Sequence, residues 1–298
     1  MNGLLLLLSV VINVVAYGII RNDFCKKDVK CDTDLYRFNM LSSLIAMIVL
    51  LMICGLSKTL VWPSGYTLYM GCAFGISTAL CALLNMKALE TGPLSYTSVI
   101  VSCAMVIPAI SGMILFRESV SGWQIGGIVL MVVSFICAVD KKNDKASTSI
   151  KWLLFCLGAF LFSGIVGIMQ KIHQNSIYKQ EIGIFLVIAF GISALFSWIL
   201  VLNDKNKETR MDGKHILNRK RFWLCSLICG IGIALCNQIN MYLSGVMAAI
   251  IFYPVVNGAS MILTTTAGIV LWKERLTAKQ WFGLIMGGIA ILLLCNIF

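Results

Sequence analysis

Apolar residues run through this chain in long stretches, and polar positions fall almost entirely between them. Ten stretches are about 20 residues long, at approximately 3–20, 38–56, 66–86, 94–115, 122–139, 152–170, 183–202, 222–242, 247–271 and 279–297. A helix rises ~1.5 Å per residue, so each stretch matches the ~30 Å hydrocarbon core of a bilayer. Strands are excluded: lipid offers no partner to an open sheet edge, and the stretches are roughly twice as long as barrel strands. The longest connections, 21–37 and 203–221, leave no room for a separate soluble domain. Only Met1-Asn2 precedes the first stretch and no small-residue cleavage pattern follows it, so it is expected to remain a helix and not to be removed as a signal peptide.

The pattern also repeats. Phe116-Arg117-Glu118-Ser119-Val120-Ser121-Gly122-Trp123-Gln124 has its counterpart in Trp272-Lys273-Glu274-Arg275-Leu276-Thr277-Ala278-Lys279-Gln280, and the same spacing superposes Gly127 on Gly283. A division near Lys145 leaves five helices on each side. Five is odd, so the second copy enters the membrane from the side opposite to the first. The expected fold is an all-α polytopic membrane protein of ten transmembrane helices, in two inverted five-helix repeats at 1–145 and 146–298. Ser121 with Gln124, and Thr277 with Gln280, have the spacing of a capping box at the start of the fifth helix of each copy. Glu118 and Glu274 fall in the turn just before, where carboxylates suit helix N-termini, so they are read as turn residues and not as proton carriers. Gly126, Gly127, Gly287 and Gly288 are expected to let the last helix of each copy approach a neighbour closely.

Composition agrees with this pattern. Hydrophobic residues make up 59% and charged residues 12%, about half the charge of a typical soluble domain. The net charge of +11 is spread over many short connections and is not gathered on one face with aromatics, so nucleic acid is not an expected partner. It acts instead on orientation: 20 of the 24 Lys and Arg fall on one side of a ten-helix topology, which places that side in the cytoplasm and both termini outside. The twelve cysteines show no metal spacing, and Cys25 and Cys31, sharing one connection, are either free thiols or a disulfide. His173 and His215 fall in connections on opposite sides of the bilayer, which argues against their acting together in catalysis. No cofactor is expected.

Taken together, the chain resembles the drug/metabolite transporter superfamily, in its ten-helix EamA-type branch. The resemblance rests on Tyr36-Arg37-Phe38 opening the second helix, Ala88-Leu89 near the end of the third, and the Pro108 helix running into Arg117-Glu118. Gln124 with Gly127 extends it, and the second copy supplies Pro254, Lys273-Glu274 and Gln280 with Gly283. It implies a basket of helices around a central cavity lined mainly by helices 1, 3, 4, 6, 8 and 9, with alternating access between the halves. It implies solutes such as amino acids, amines, sugars, nucleotide derivatives and drugs, moved mostly outward. It also implies cytoplasmic termini, opposite to the charge count, so orientation stays open here.

Within such a fold, interrupted helices and buried polar side chains point to the site. Pro108 and Pro254 lie in the fourth helix of each copy, where a proline frees a carbonyl and kinks the helix. Asn13 and Tyr17 are four apart on helix 1, hence on one face, and Asn13 aligns with Ser163 on helix 6 when Arg21 is set on Lys171. Asn85 on helix 3 has counterparts in Asn237, Gln238 and Asn240 on helix 8. Helix 9 offers Tyr253 and Asn257, and helix 4 offers Tyr96 with Ser98 and Ser102. Singly, each is interhelical glue worth ~0.6–2 kcal/mol; together they fall on the helices the resemblance assigns to the cavity.

No Asp or Glu lies deep in a crossing stretch, where a charge would cost ~2.5–3.5 kcal/mol on insertion scales. The expected cavity is therefore neutral, made of amides, hydroxyls and aromatic rings. Lys87, near one mouth, is read as snorkelling to the headgroups. The expected function is secondary transport, outward, of a small organic metabolite or drug-like solute such as an amino acid or amine, across the plasma membrane of a bacterium. Membrane lipids and the solute are the expected partners, and the chain is compatible with a homodimer without signalling one. A lipid-linked substrate flippase on the same scaffold, and a membrane-embedded lipid-modifying enzyme, are the alternatives. The first needs a laterally open apolar groove, the second a cluster of acid, base or metal ligands.

Overall fold

The computed structural model describes residues 3–117, 121–138, 150–203, 219–273 and 277–294, and among these there is helix and no strand. Ten helices follow in order: α1 (Gly3–Lys27), α2 (Asp32–Leu56), α3 (Gly65–Thr91), α4 (Leu94–Ser102 and Val106–Leu115) and α5 (Gly122–Ala138). Then come α6 (Ile150–Gln174), α7 (Ile182–Asn203), α8 (Lys220–Val246), α9 (Ala249–Trp272) and α10 (Ala278–Leu294). Seven of them, α1–α3 and α6–α9, are long and apolar enough to cross a membrane; α4, α5 and α10 are shorter.

Helix ends follow local chemistry. The sequence pattern ends the first helix at residue 20, but α1 continues to Lys27. Backbone hydrogen bonding does not stop where side chains turn polar, and Lys26 and Lys27 in the last turn complement the dipole. At the other end of the next helix, Asp32 and Asp34 occupy the first turn of α2. Two helix ends carry the duplication in their backbone. Arg117 (φ 50°), just after α4, and Lys273 (φ 54°), the C-cap of α9, both adopt the left-handed conformation, at matching places in the repeat. Such a residue costs roughly 1–2 kcal/mol, yet it stops each helix and leaves a cation at its C-terminal end.

The prolines behave differently from expectation. Pro108 cannot donate to the carbonyl of Ala104, and α4 breaks there into the 3-10 turn Cys103–Met105. Pro254 stands only six residues into α9, and that helix runs through it without interruption. The Ser121 box forms as predicted: Gln124 N donates to Ser121 Oγ at 3.3 Å and Ser121 N to Gln124 Oε1 at 2.9 Å. Glu118, Glu274 and the side chain of Gln280 lie outside the described residues.

Packing is unchanged when α1–α5 are exchanged with α6–α10. α2 packs on α7, α4 on α9 and α5 on α10; α3 packs on α6 as α8 packs on α1, and α2 on α8 as α7 on α3. The pair α2–α7 is antiparallel. Asn39 Nδ2 donates to Ser197 Oγ at 2.8 Å, Ser43 Oγ meets Ser193 Oγ at 3.0 Å, and Gly183 lies against Cys54. Ser43 and Ser193 are 150 residues apart, the spacing that aligns Arg21 with Lys171, so the two copies meet residue on like residue. Around this seam, Ala46, Leu50, Phe74, Phe185, Phe190 and Met241 form an apolar core across α2, α3, α7 and α8.

Small residues set the closest approaches. Gly75 of α3 leaves no room for a methyl, which would collide with the Ala189 carbonyl oxygen and lie 2.9 Å from Ile192 Cβ. Gly287 likewise sits against Ser134 Oγ, which donates to the Gly283 carbonyl at 2.6 Å. Gly126 and Gly288, expected to act the same way, have nothing within 4 Å of a built Cβ, because they face away from the α5–α10 contact. Gly75→Ala is therefore expected to destabilise the protein by about 1–3 kcal/mol through overpacking. Gly126→Ala is expected to leave thermal unfolding in detergent unchanged, and equal melting temperatures for the two variants would contradict this packing.

Candidate functional site

A cavity of about 280 Å³ lies where α1, α3, α4, α6, α8 and α9 converge, with α2 and α7 closing it through Asn39, Ser43, Ser193 and Phe190. None of its lining comes from α5 or α10. That volume is at the small end of the ~300–1,000 Å³ typical of small-molecule sites.

Of the residues singled out from sequence, Tyr17, Asn85, Ser163, Asn237, Tyr253, Asn257 and Pro108 line this cavity. Pro108 packs against Gly167 of α6. Asn13 does not line it: its Oδ1 lies against Gly232 of α8, so the side chain packs α1 on α8. Gln238 also lies outside the lining and Pro254 is buried elsewhere in α9, whereas Asn240, one helical turn from Asn237, does line it. The side chain of Tyr96 lies outside the described residues.

The asparagines are held by their own helices. Asn237 Nδ2 donates to the Ile233 carbonyl and Asn257 Nδ2 to the Tyr253 carbonyl, each at 2.9 Å. A carbonyl partner demands the amide NH2, so each Asn turns its oxygen away as a free acceptor. The Cys81 thiol, also in the lining, donates to the Ala159 carbonyl at 3.6 Å. The buried oxygens of Thr78, Asn240 and Ser260, all in the lining, have no hydrogen-bond partner. Buried polar atoms are normally paired, so these mark the cavity as a place where a polar occupant completes the bonding.

The expectation of a neutral cavity is corrected by Arg21. Its residue lines the space, with Cζ 5.6 Å from the centre of the Tyr17 ring. Sequence reasoning assigned Arg21 to a connection because hydropathy falls there. Because α1 continues to Lys27, residues 14, 17, 18 and 21 instead fall on one face. The spacing of four from Tyr17 was the available signal. The basic residues near it are otherwise engaged. Lys87 pairs with Asp32 at 2.8 Å and lies over the Tyr36 and Phe155 rings, tying α3 to the start of α2 and not simply reaching for headgroups. Arg219 and Arg221 pair with Asp28, and Arg221 also with Asp23, joining the end of α1 to the start of α8.

At the opposite end α6 is bonded to its neighbours. Tyr253 Oη donates to the Gly167 carbonyl at 2.6 Å, and Lys171 Nζ donates to the Met247 carbonyl at 2.8 Å, so α6 is tied to α9 and to the turn before it. His173 is buried in the last turn of α6 and not in a connection, its ring stacked near Tyr66 and Phe185; His215 lies outside the described residues. Cys25 and Cys31 are both free, and burial raises the Cys31 thiol above its ordinary value. Among the described residues no group of His, Cys, Asp and Glu is placed to hold a metal.

A multi-pass helical protein with a polar cavity at the seam of two like-packed halves has the architecture of a membrane carrier. The EamA-like transporter family model matches residues 1–139 and 150–296, and the chain belongs to that family. An uncharacterised protein of Haemophilus influenzae is 22% identical over 226 residues, covering 74% of this chain and 72% of that protein. A solved structure, described only as the crystal structure of a protein, shares the fold with a TM-score of 0.68 at 10% identity, over 99% of this chain and 96% of its own. The protein is thus a membrane transporter of small solutes. Tyr253→Phe, which removes one tie between α6 and α9, is expected to cost about 1 kcal/mol. Thermal unfolding in detergent checks this, and an unchanged melting temperature would mean the tie is idle.

Proposed function

We propose that this protein is a secondary carrier that exports a small organic solute, of the size of an amino acid or amine, from a bacterial cytoplasm. Its halves, 1–145 and 146–298, rock about the α2–α7 seam. The observation that carries this reading is the cavity itself: some 280 Å³ whose walls, apolar for the most part, carry asparagines, hydroxyls and Tyr17, with polar atoms left unbonded. A lipid-linked flippase needs walls apolar throughout, and the amides and hydroxyls set among them favour a water-soluble occupant.

A difference between matching ends supports alternating access. Lys171 is tied to Met247, the C-cap of α8. In the first copy the corresponding residues are Arg21 and Gly92, the C-cap of α3, and among the described residues no bond joins them. A tie present on one side lacks its counterpart on the other, an asymmetry that a rocking carrier uses.

In proteoliposomes, flux of a labelled solute is expected without nucleotide hydrolysis, and a strict requirement for ATP would overturn the carrier reading. Asn237→Ala and Asn257→Ala are expected to cut flux several-fold at unchanged stability. Asn13→Ala is expected to lower stability, because it loosens α1 against α8; the reverse ranking would displace the site. The excess of Lys and Arg on one side supports external termini, so a reporter fused after Phe298 should read outside the cell. A cytoplasmic signal would reverse the orientation assigned here.

A further inference from the structure

Arg21 is the one charged side chain in the lining of the cavity among the described residues. No carboxylate among them pairs with it, its Nε is buried without a hydrogen-bond partner, and its noted neighbour is the face of Tyr17. A guanidinium has five donors in a planar fork, and leaving them unmet in a confined space is costly. The duplicated position sharpens the point. Lys171, the counterpart of Arg21, is buried and satisfied by the Met247 carbonyl at 2.8 Å, outside the cavity lining. One copy has its cation bonded within the protein; the other presents its cation to the space between the helices.

The polar groups that α8 and α9 bring to an otherwise largely apolar lining have the opposite character. Asn237 and Asn257 spend their NH2 groups on their own helices, and the oxygens of Asn240 and Ser260 are unbonded. Walls from α8 and α9 thus offer acceptors, while α1 offers a cationic donor. An amine without an acid group would meet Arg21 as a like charge. A phosphate monoester, at −1.5 to −2 charges, would find a single cation for its ~2 charges. A carboxylate matches one guanidinium in charge and in fork geometry.

We infer that Arg21 is an anion anchor, and that the solute is a small carboxylate bearing a hydrogen-bond donor, an amino acid or hydroxy acid in class, and not an amine. The inference rests on the carrier reading above and narrows its substrate. The test is a thermal-shift titration of the full-length detergent-solubilised protein. Its probes are the proteinogenic amino acids, their C-terminal amides, the amines that lack the carboxyl group, C2–C6 hydroxy acids and simple phosphate monoesters. At least one carboxylate is expected to stabilise the wild type, with its amide and amine at least about tenfold weaker, as loss of a charge-assisted hydrogen bond implies. Arg21→Gln is expected to lose that preference for the acid over the amide, and Arg21→Lys to retain part of it. The comparison of acid with amide in the wild type stands even if Arg21→Gln fails to fold. Stabilisation by amines, amides or phosphate esters in preference to carboxylates overturns the anchor and leaves the carrier reading intact. Equal acid preference in Arg21→Gln overturns it as well. Absence of any shift across the panel, together with absence of flux in liposomes, counts against both.

Discussion

Hydrocarbon supplies no partner to a backbone N–H or a side-chain amide, so each polar group in a crossing helix is bonded within the protein or turned toward a polar space. That constraint arranges this molecule. It makes every described element a helix, and it sends serines back onto their own carbonyls, as Ser42 bonds Phe38 O at 2.8 Å and Ser197 bonds Ser193 O at 3.0 Å. Of the polar groups left over, Arg21, Thr78, Asn240 and Ser260 each have a buried unbonded atom and line one cavity, while others, among them Asn22, Ser226, Gln238 and Thr265, lie outside it.

The coarse fold was legible in the chain because its signal is periodic and redundant. Ten apolar stretches gave ten helices, and the near-repeat of Phe116-Arg117-Glu118 as Trp272-Lys273-Glu274 announced the duplication that recurs in the paired left-handed residues Arg117 and Lys273. The cavity lining was legible in part. Tyr17, Asn85, Asn237, Tyr253 and Asn257 line it, and such polar residues stand out against an apolar background, but that contrast says nothing about direction. Asn13 shares the spacing of a cavity residue and yet meets Gly232, since a glycine on α8 admits it. Arg21 was missed for a different reason: hydropathy marks where lipid contact ends, and a helix lining a polar space continues past that point. Likewise Pro108 and Pro254 look equivalent in the chain, but only the former stands in mid-span, where the missing N–H breaks the helix.

The two copies have therefore diverged in chemistry while keeping their packing. α4 is broken and α9 continuous, Arg21 faces the cavity and Lys171 is bonded to a carbonyl, yet the same helix pairs touch in both halves. Helix pairing is kept in both copies even where the side chains differ, as where Asn39 faces Ser197 across the seam. The cavity is bordered by single residues and is free to become asymmetric, which is what a ligand without two-fold symmetry requires.

The Ser43–Ser193 contact has an implication of its own. A hydroxyl both gives and receives a proton, so this bond is indifferent to which serine does which. It is degenerate under interchange of the copies, unlike an amide–carbonyl or ion-pair contact, whose strength is tied to one assignment of roles. Between the two copies this one contact therefore exerts no preference. What bias the seam holds lies beside it, where the Asn39 amide donates to Ser197 and the roles are not interchangeable.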